Sequence, residues 1–209
     1  MSPLPLDRRQ LLARLAALGT VSVVPTAVVA AAADENPMSK EAVFYDPRIP
    51  VQGNPNGDTT MVVFFDYQCP YCKASQPDVE KLVETDGRIR LVMKDWPIFG
   101  PPSLYASRLT LAAGDGYVEA QAALMATPDH LTPDAIEAVL REAGFDPNAL
   151  NAAYDQDKAR INGLLQRNST QAEAFGLAGT PAYVIGTTLY PGVLDFDAMK
   201  QAVVTARKS

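Results

Sequence analysis

The hydrophobic residues of this chain follow strand and helix periodicities in turn. Residues 59–67 form a run rich in Val, Thr and Phe, which is typical of a buried strand. Residues 88–94 alternate polar and apolar side chains and predict a second strand. Between the two lies a segment with apolar residues at helical spacing, at Val79, Leu82 and Val83. This β-α-β order predicts a parallel pair of strands with a right-handed crossover.

The second half of the chain is mostly helical in pattern. An alanine-rich region from 101 to about 165 predicts four helices, over residues 103–113, 117–125, 132–143 and 147–158. A longer helix over 155–175 then leads to an apolar strand that ends near Gly186, with a hairpin partner around Leu189 and Tyr190. A closing helix over 195–207 has Asp195 as its N-cap. Before residue 59, we expect a short edge strand over 43–45 and a loop with turns over 47–57.

The first 33 residues have the layout of a secretory signal peptide. Arg8 and Arg9 precede a mostly apolar run over 15–33, and the alanines at 31–33 offer a small-residue cleavage site. Paired arginines at this place are similar to a Tat-type signal. An ordinary Sec signal and an uncleaved membrane anchor are the alternatives. The glycine and proline within the apolar run argue against the anchor. We therefore expect export to an oxidising compartment.

Composition narrows the class of protein. The chain has 209 residues, 47% of them hydrophobic, enough to bury a sizeable core as one domain with an insertion. Its formal net charge is −6, so nothing supplies the basic face that nucleic acid requires.

Both cysteines of the chain lie in one motif, Cys69-Pro70-Tyr71-Cys72. A C-x-x-C pair can be half of a zinc site, but there is no third cysteine and His130 is the sole histidine. A purely structural disulfide here would close a very small loop and constrain the unfolded chain little. The pattern therefore favours a redox centre, and we interpret His130 as a surface loop residue.

The position of the motif supports redox chemistry. Cys69 lies where a strand gives way to a helix, and unsatisfied N–H groups and the helix dipole favour a thiolate at that end. A cysteine with a lowered pKa attacks disulfides and leaves them readily. Cys69 is thus the candidate nucleophile, and Cys72, one turn later, is the candidate resolving thiol.

The stretch from Phe64 to Lys73, Phe-Phe-Asp-Tyr-Gln-Cys-Pro-Tyr-Cys-Lys, resembles the active-site motif of the DsbA-like branch of the thioredoxin superfamily. Residues 46–58 are also typical of that branch, and the nearer similarity is to copper-sensitivity and Com1-like proteins. The resemblance implies an α/β thioredoxin fold with an inserted α-helical domain. It divides the chain into a signal peptide (1–33), a first thioredoxin-like part (34–100), the inserted domain (101–165) and a second thioredoxin-like part (166–209).

The same resemblance implies a periplasmic thiol–disulfide oxidoreductase. Its substrates would be cysteine-containing exported client proteins, and a membrane redox partner would recycle it. It would need no cofactor beyond the Cys69–Cys72 disulfide. Thr180 and Pro181 match the family's cis-proline loop, where the backbone before the proline pairs with the client. A copper-handling or client-binding module that holds Cu(I) on the two thiols remains the alternative, because soft thiolates suit Cu(I).

Three departures from the family change the expectations. Pro70 and Tyr71 tune the centre, and Tyr71 stands where strong oxidants carry histidine, so we expect a less extreme potential. Val63 occupies the place of a buried acid, which predicts slow resolution of mixed disulfides by Cys72 unless Lys94, Asp66 or a water substitutes. We expect the Asp66 carboxylate to be held by turn N–H groups. Fewer than twenty residues separate the cleavage site from Pro50, which favours a monomer over a stalked trimer.

Overall fold

A computed structural model of the chain describes residues 36–127 and 130–208. The predicted signal peptide lies outside the described residues.

A five-stranded mixed sheet forms the centre of the molecule, in the order β1-β3-β2-β4-β5. Its strands are β1 (Val51–Gly53), β2 (Thr59–Phe65), β3 (Ile89–Asp95), β4 (Ala182–Ile185) and β5 (Thr188–Pro191). The central strands β2 and β3 are parallel, as the sequence predicts, and the other pairs are antiparallel. All seven residues of β2 are buried, because helices cover both faces of the sheet there.

The helices agree closely with the sequence pattern. They are α1 (Lys40–Phe44), α2 (Pro70–Asp86), α3 (Pro101–Ala112), α4 (Tyr117–Met125), α5 (Pro133–Glu142), α6 (Pro147–Gln156), α7 (Lys158–Ala174) and α8 (Phe196–Ala206). The Asp195 side chain accepts a hydrogen bond from the Ala198 N–H at 2.8 Å, which confirms it as an N-cap. Between β3 and α7, helix α3 packs against α4, α5 and α6, and this group is the predicted helical insertion.

The sequence prediction was wrong in two places. Residues 43–45 are not an edge strand, since residues 40–44 form α1, whose N-cap Ser39 accepts a hydrogen bond from the Ala42 N–H. Lys94 and Gln171 both donate to the Ala42 carbonyl oxygen and hold this short helix in place. Within the predicted loop at 47–57, residues 51–53 instead form β1, which adds an edge to the sheet beside β3.

The strand register assigns side chains to the two faces of the sheet. Val63 is level with Met93 on one side and Tyr183 on the other, so these three share a face. Phe64 and Lys94, level with each other, share the opposite face. Among the described residues, no helix is both long and apolar enough to cross a lipid bilayer.

Candidate active site

Cys69 is the N-cap of α2. The chain leaves β2 at Phe65, turns, and enters the helix at Pro70, where proline suits the first helical position. The Cys69 sulfur accepts the backbone N–H of Cys72 at 3.4 Å. Both cysteines are free thiols and buried, whereas Pro70 and Tyr71 between them are exposed.

The two thiols have opposite proton affinities. A hydrogen bond from the Cys72 thiol, with help from the N–H groups of Cys72 and Tyr71, lowers the pKa of Cys69 to about 6. Burial raises the pKa of Cys72 well above its ordinary value, and its hydrogen bond to Cys69 raises it further. At neutral pH the pair is therefore one thiolate, on Cys69, and one thiol that donates to it.

Thr180 and Pro181 lie next to the nucleophile, 111 residues further along the chain. The peptide bond between them is cis, as predicted. The Cys69 thiol lies 3.2 Å from the Thr180 carbonyl oxygen and donates to it when protonated.

The Asp66 carboxylate organises the turn before Cys69. It accepts the N–H groups of Gln68 at 2.6 Å, Ile98 at 2.7 Å and Phe99 at 3.0 Å, and the Ser103 hydroxyl at 2.7 Å. This confirms the expectation that turn N–H groups hold Asp66. Four donors thus share its two oxygens, as suits a carboxylate that holds a turn.

Lys94 does not replace the acid that is absent at position 63. It lies on the Phe64 face of the sheet, where its ammonium donates to the Ala42 carbonyl oxygen at 3.1 Å. Burial lowers the pKa of Lys94 to about 7, and Asp46 is the acid that opposes this shift. The suggestion that Lys94 assists Cys72 is therefore wrong.

A pair of hydroxyl groups, on Ser75 and on Tyr183, which is level with Val63, lies next to the Cys72 backbone instead. The Tyr183 hydroxyl donates to the Ser75 hydroxyl at 3.2 Å, and Ser75 donates to the Cys72 carbonyl oxygen at 3.2 Å. Burial raises the pKa of Tyr183 to about 12, and the two nearby cysteines contribute to this rise. The resolving thiol thus has neutral neighbours here. Sequence reasoning missed this pair, because 108 residues separate Ser75 from Tyr183.

Four further hydrogen bonds join the active-site turn and the start of α2 to the helical insertion. The Tyr67 hydroxyl donates to the Thr110 hydroxyl at 2.9 Å. The Gln68 amide donates to the Leu131 carbonyl oxygen at 2.7 Å and accepts the Leu131 N–H at 2.8 Å. Lys73 donates to the Thr127 hydroxyl at 2.8 Å. No short-range pattern in the sequence indicates these contacts.

Large apolar side chains are exposed near the site. Tyr71 is 64% exposed, and in the loop held by Asp66 the exposure is 40% for Ile98 and 52% for Phe99. Trp96, at the start of that loop, is buried and its ring packs edge-on against Phe64. The loop therefore contributes one side chain to the core and two to the surface. His130 is exposed in a loop, as predicted.

A low-pKa thiol at a helix N-terminus, a buried partner thiol and an adjacent cis-proline loop on this sheet define a thiol–disulfide oxidoreductase of thioredoxin fold. Residues 60–204 match the family model of the DSBA-like thioredoxin domain. The chain belongs to this family, which confirms the predicted fold and class.

Solved structures support the assignment. A thioredoxin-like oxidoreductase from Silicibacter pomeroyi DSS-3 is 35% identical, with 82% of this chain and 99% of that one covered and a TM-score of 0.78. The thiol-disulfide exchange protein alpha-DsbA2 from Wolbachia pipientis is 26% identical, with 79% and 90% covered and a TM-score of 0.74. A periplasmic thioredoxin-like protein from Salmonella enterica serovar Typhimurium is 30% identical, with 81% and 95% covered and a TM-score of 0.73.

Two curated relatives are much longer than this chain. The Na(+)/H(+) antiporters NhaA 1 of Salinispora arenicola and NhaA 3 of Salinispora tropica are each 24% identical over 160 residues. The match covers 75% of this chain and 24% of each antiporter.

Proposed function

We propose that this chain is an exported protein-disulfide oxidoreductase that exchanges disulfides with cysteine-containing client proteins through Cys69 and Cys72. The observation that carries the proposal is the placement of the two thiols: Cys69 caps the N-terminus of α2, accepts the Cys72 N–H at 3.4 Å and lies 3.2 Å from the Thr180 carbonyl oxygen. The Cys72 thiol and these surroundings lower the pKa of Cys69, whereas burial raises the pKa of Cys72. Exchange needs this pairing of a ready nucleophile with a nearby resolving thiol.

The exchange balances without any cofactor. When the protein oxidises a client, a client thiolate attacks the Cys69 sulfur of the Cys69–Cys72 disulfide, and Cys72 leaves as a thiolate and takes up a proton. A second client thiolate then attacks the client sulfur of the mixed disulfide. Cys69 leaves as a thiolate, the client has gained a disulfide, and two electrons have passed to the protein. Reduction of a client is the same sequence reversed.

Thr180 and Pro181 are the proposed client-binding backbone. The Thr180 carbonyl lies beside the sulfur that becomes joined to the client. Exposed Tyr71, Ile98 and Phe99 offer apolar surface to a partner.

Export rests on residues 1–33 and on the periplasmic description of the Salmonella protein. We expect a membrane redox partner to restore the working form after each turnover, because one exchange leaves the Cys69–Cys72 pair in the other redox state.

The deciding measurement is the reduction potential of the Cys69–Cys72 pair, obtained by equilibration in glutathione buffers. A value of about −120 mV would identify the protein as a disulfide donor. A value of about −270 mV would identify it as a reductase or isomerase that a partner keeps reduced. Cys69→Ala, checked for folding by circular dichroism, removes all exchange. A pair that never equilibrates with glutathione contradicts the proposal.

Cu(I) handling by the same thiols is the competing function. Titration with Cu(I) of the reduced protein and of Cys72→Ser separates the two, since a two-thiolate site needs both sulfurs. Tight binding by the unaltered protein, with no exchange activity, would assign the metal-handling role.

A further inference from the structure

A groove of about 650 Å³ runs between α2 and α4, on the side of Cys69 that faces the helical insertion. It starts at Pro70, the residue after the nucleophile, and follows α2 as far as Glu80. This volume is within the range of sites that accept ligands or side chains. Neither Thr180 nor Pro181 lines it, so it is separate from the cis-proline backbone.

The groove exists because small and apolar residues face each other across it. Helix α2 contributes Ala74 and Pro77, both exposed, and α4 contributes Ala122 and Met125. Alanine side chains end at Cβ, so the two helices leave open space between them. Lys73 and Glu80 also line the groove but are hydrogen-bonded, to Thr127 and Gln76.

The segment around Cys69 bonds to the helical insertion both at the end of α4 and beyond that end. Gln68, one residue before the nucleophile, is buried and makes the two bonds to the Leu131 backbone. Lys73, four residues after it, bonds Thr127 at the end of α4. The Lys73–Thr127 bond therefore holds the end of α4 against α2, and the Gln68–Leu131 bonds hold the chain that follows α4.

We propose that this groove is a client subsite that takes an apolar side chain a few residues from the reacting cysteine, and that Gln68 is a positioning residue for its wall. The inference rests on the proposed exchange with client proteins. The expected occupant is a side chain of the client. In the mixed disulfide the client sulfur is bonded to Cys69, and the groove begins at Pro70, the next residue. The four polar residues of the lining are hydrogen-bonded in pairs, Lys73 with Thr127 and Gln76 with Glu80, so the remaining apolar lining favours an apolar side chain over a charged one.

The test uses peptides whose single cysteine carries glutathione as a mixed disulfide. The Cys69 thiolate of the reduced protein attacks the peptide sulfur, the bond to glutathione breaks, and glutathione leaves as a thiolate that takes up a proton. Peptides with leucine or serine at each of three positions on either side of the cysteine are compared by their second-order rate constants.

We expect the leucine peptide to react about tenfold faster than the serine peptide at one or more positions. The reason is that binding in the groove removes the apolar leucine side chain from water. Ala74→Gln and Ala122→Gln fill the groove with a neutral polar side chain and should bring the ratio close to one. The matched control is Ala152→Gln, at an exposed alanine of α6 away from the groove, which should keep the wild-type ratio. Glutamine is well tolerated in helices at all three sites.

Gln68→Ala tests the wall. It should lower the leucine-to-serine ratio of rate constants by more than it lowers the rate with glutathione disulfide, because the hydrogen bonds to the Cys69 sulfur remain. Asn151→Ala is its control, because it removes the same number of side-chain hydrogen bonds, the two that Asn151 donates to Tyr105 and Pro147 within the insertion. Denaturation curves of both variants show whether stability alone accounts for the change.

A wild-type ratio near one at every position, or a preference that survives Ala74→Gln, overturns the subsite. A preference that depends on protein concentration overturns it too, and assigns the groove to a second copy of the chain. If Gln68→Ala only lowers stability, its positioning role is overturned. Absence of reaction even with glutathione disulfide contradicts the proposed function instead.

Discussion

The properties of Cys69 depend on single hydrogen bonds. Its sulfur accepts the Cys72 N–H, and the Cys72 thiol supplies the main interaction that lowers its pKa. A thiolate held in this way stabilises the reduced protein at every pH above the lowered pKa. The potential of the pair therefore becomes more oxidising than that of two ordinary thiols.

The pH dependence of the reduction potential tests this. Below pH 6, reduction adds two protons with the two electrons, and the potential should fall by about 59 mV per pH unit. Above pH 6 Cys69 stays a thiolate while Cys72 is still protonated, so the slope should halve to about 30 mV per pH unit. Redox equilibrations between pH 4.5 and pH 8 in about half-unit steps show the break. One constant slope across that range contradicts the lowered pKa.

Val63 is the second residue whose chemistry can be tested. Val63 lies level with Tyr183, and the Tyr183 hydroxyl donates to Ser75, which in turn bonds the Cys72 carbonyl oxygen. An acid at position 63 would therefore share the face of the sheet from which Tyr183 reaches this part of α2. We expect Val63→Glu to speed release of a Cys69-linked peptide, because a buried carboxylate accepts the proton of the Cys72 thiol. Quenched-flow timing of release measures it.

Val63→Gln is the matched control, since it has nearly the same size and no acid. Equal release rates in the two variants would show that the acid is not what limits resolution. A stability loss of about 1–3 kcal/mol is expected in both, from burial of a polar group.

At the scale of elements, Asp66 joins β2 to the loop after β3 and to the start of α3. Asp66→Ala would leave four buried or half-buried donors without their acceptor, and we expect unfolding free energy to fall by about 2–4 kcal/mol. Urea denaturation measures this. Asp66→Asn should lose less, because its amide oxygen still accepts.

Asp155→Ala removes an exposed carboxylate from α6 and serves as the control, with an expected change within about 0.5 kcal/mol. If Asp66→Ala is equally neutral, water satisfies the four donors that lose their acceptor, and the carboxylate does not hold the elements together.

The elements that could be predicted from sequence are those specified by local pattern. β2, α2 and the helices of the insertion have clear periodicity and caps, and the Cys69–Cys72 pair lies at a recognisable strand-to-helix junction. α1 could not be predicted, because Lys94 and Gln171, far along the chain, hold its Ala42 carbonyl. Tyr183, Leu131 and Thr127 escaped prediction for the same reason. Only the folded chain brings them to the cysteines.

At the scale of the whole molecule, the predicted leader decides where the redox centre operates. A Tat-type route depends on the paired arginines, so replacing Arg8 and Arg9 by lysine should retain the protein in the cytoplasm. Fractionation of cells that express each form, followed by blotting, measures it. Export that persists in the lysine variant assigns the Sec route, and retention of both forms contradicts a signal peptide.

The hydrogen bonds around Cys69 also impose an order on the growing chain. Four consecutive residues bond partners at increasing distances along the chain. The partner lies 32 residues further on for Asp66, 43 for Tyr67, 63 for Gln68 and 111 for Cys69. During synthesis the turn can therefore be completed only in stages, and the Thr180 carbonyl arrives last. A ribosome-bound chain carries both cysteines long before it has the partners that complete their surroundings. Truncated or stalled chains would thus lack the Thr180 carbonyl beside Cys69, and the complete site forms only near the end of translation.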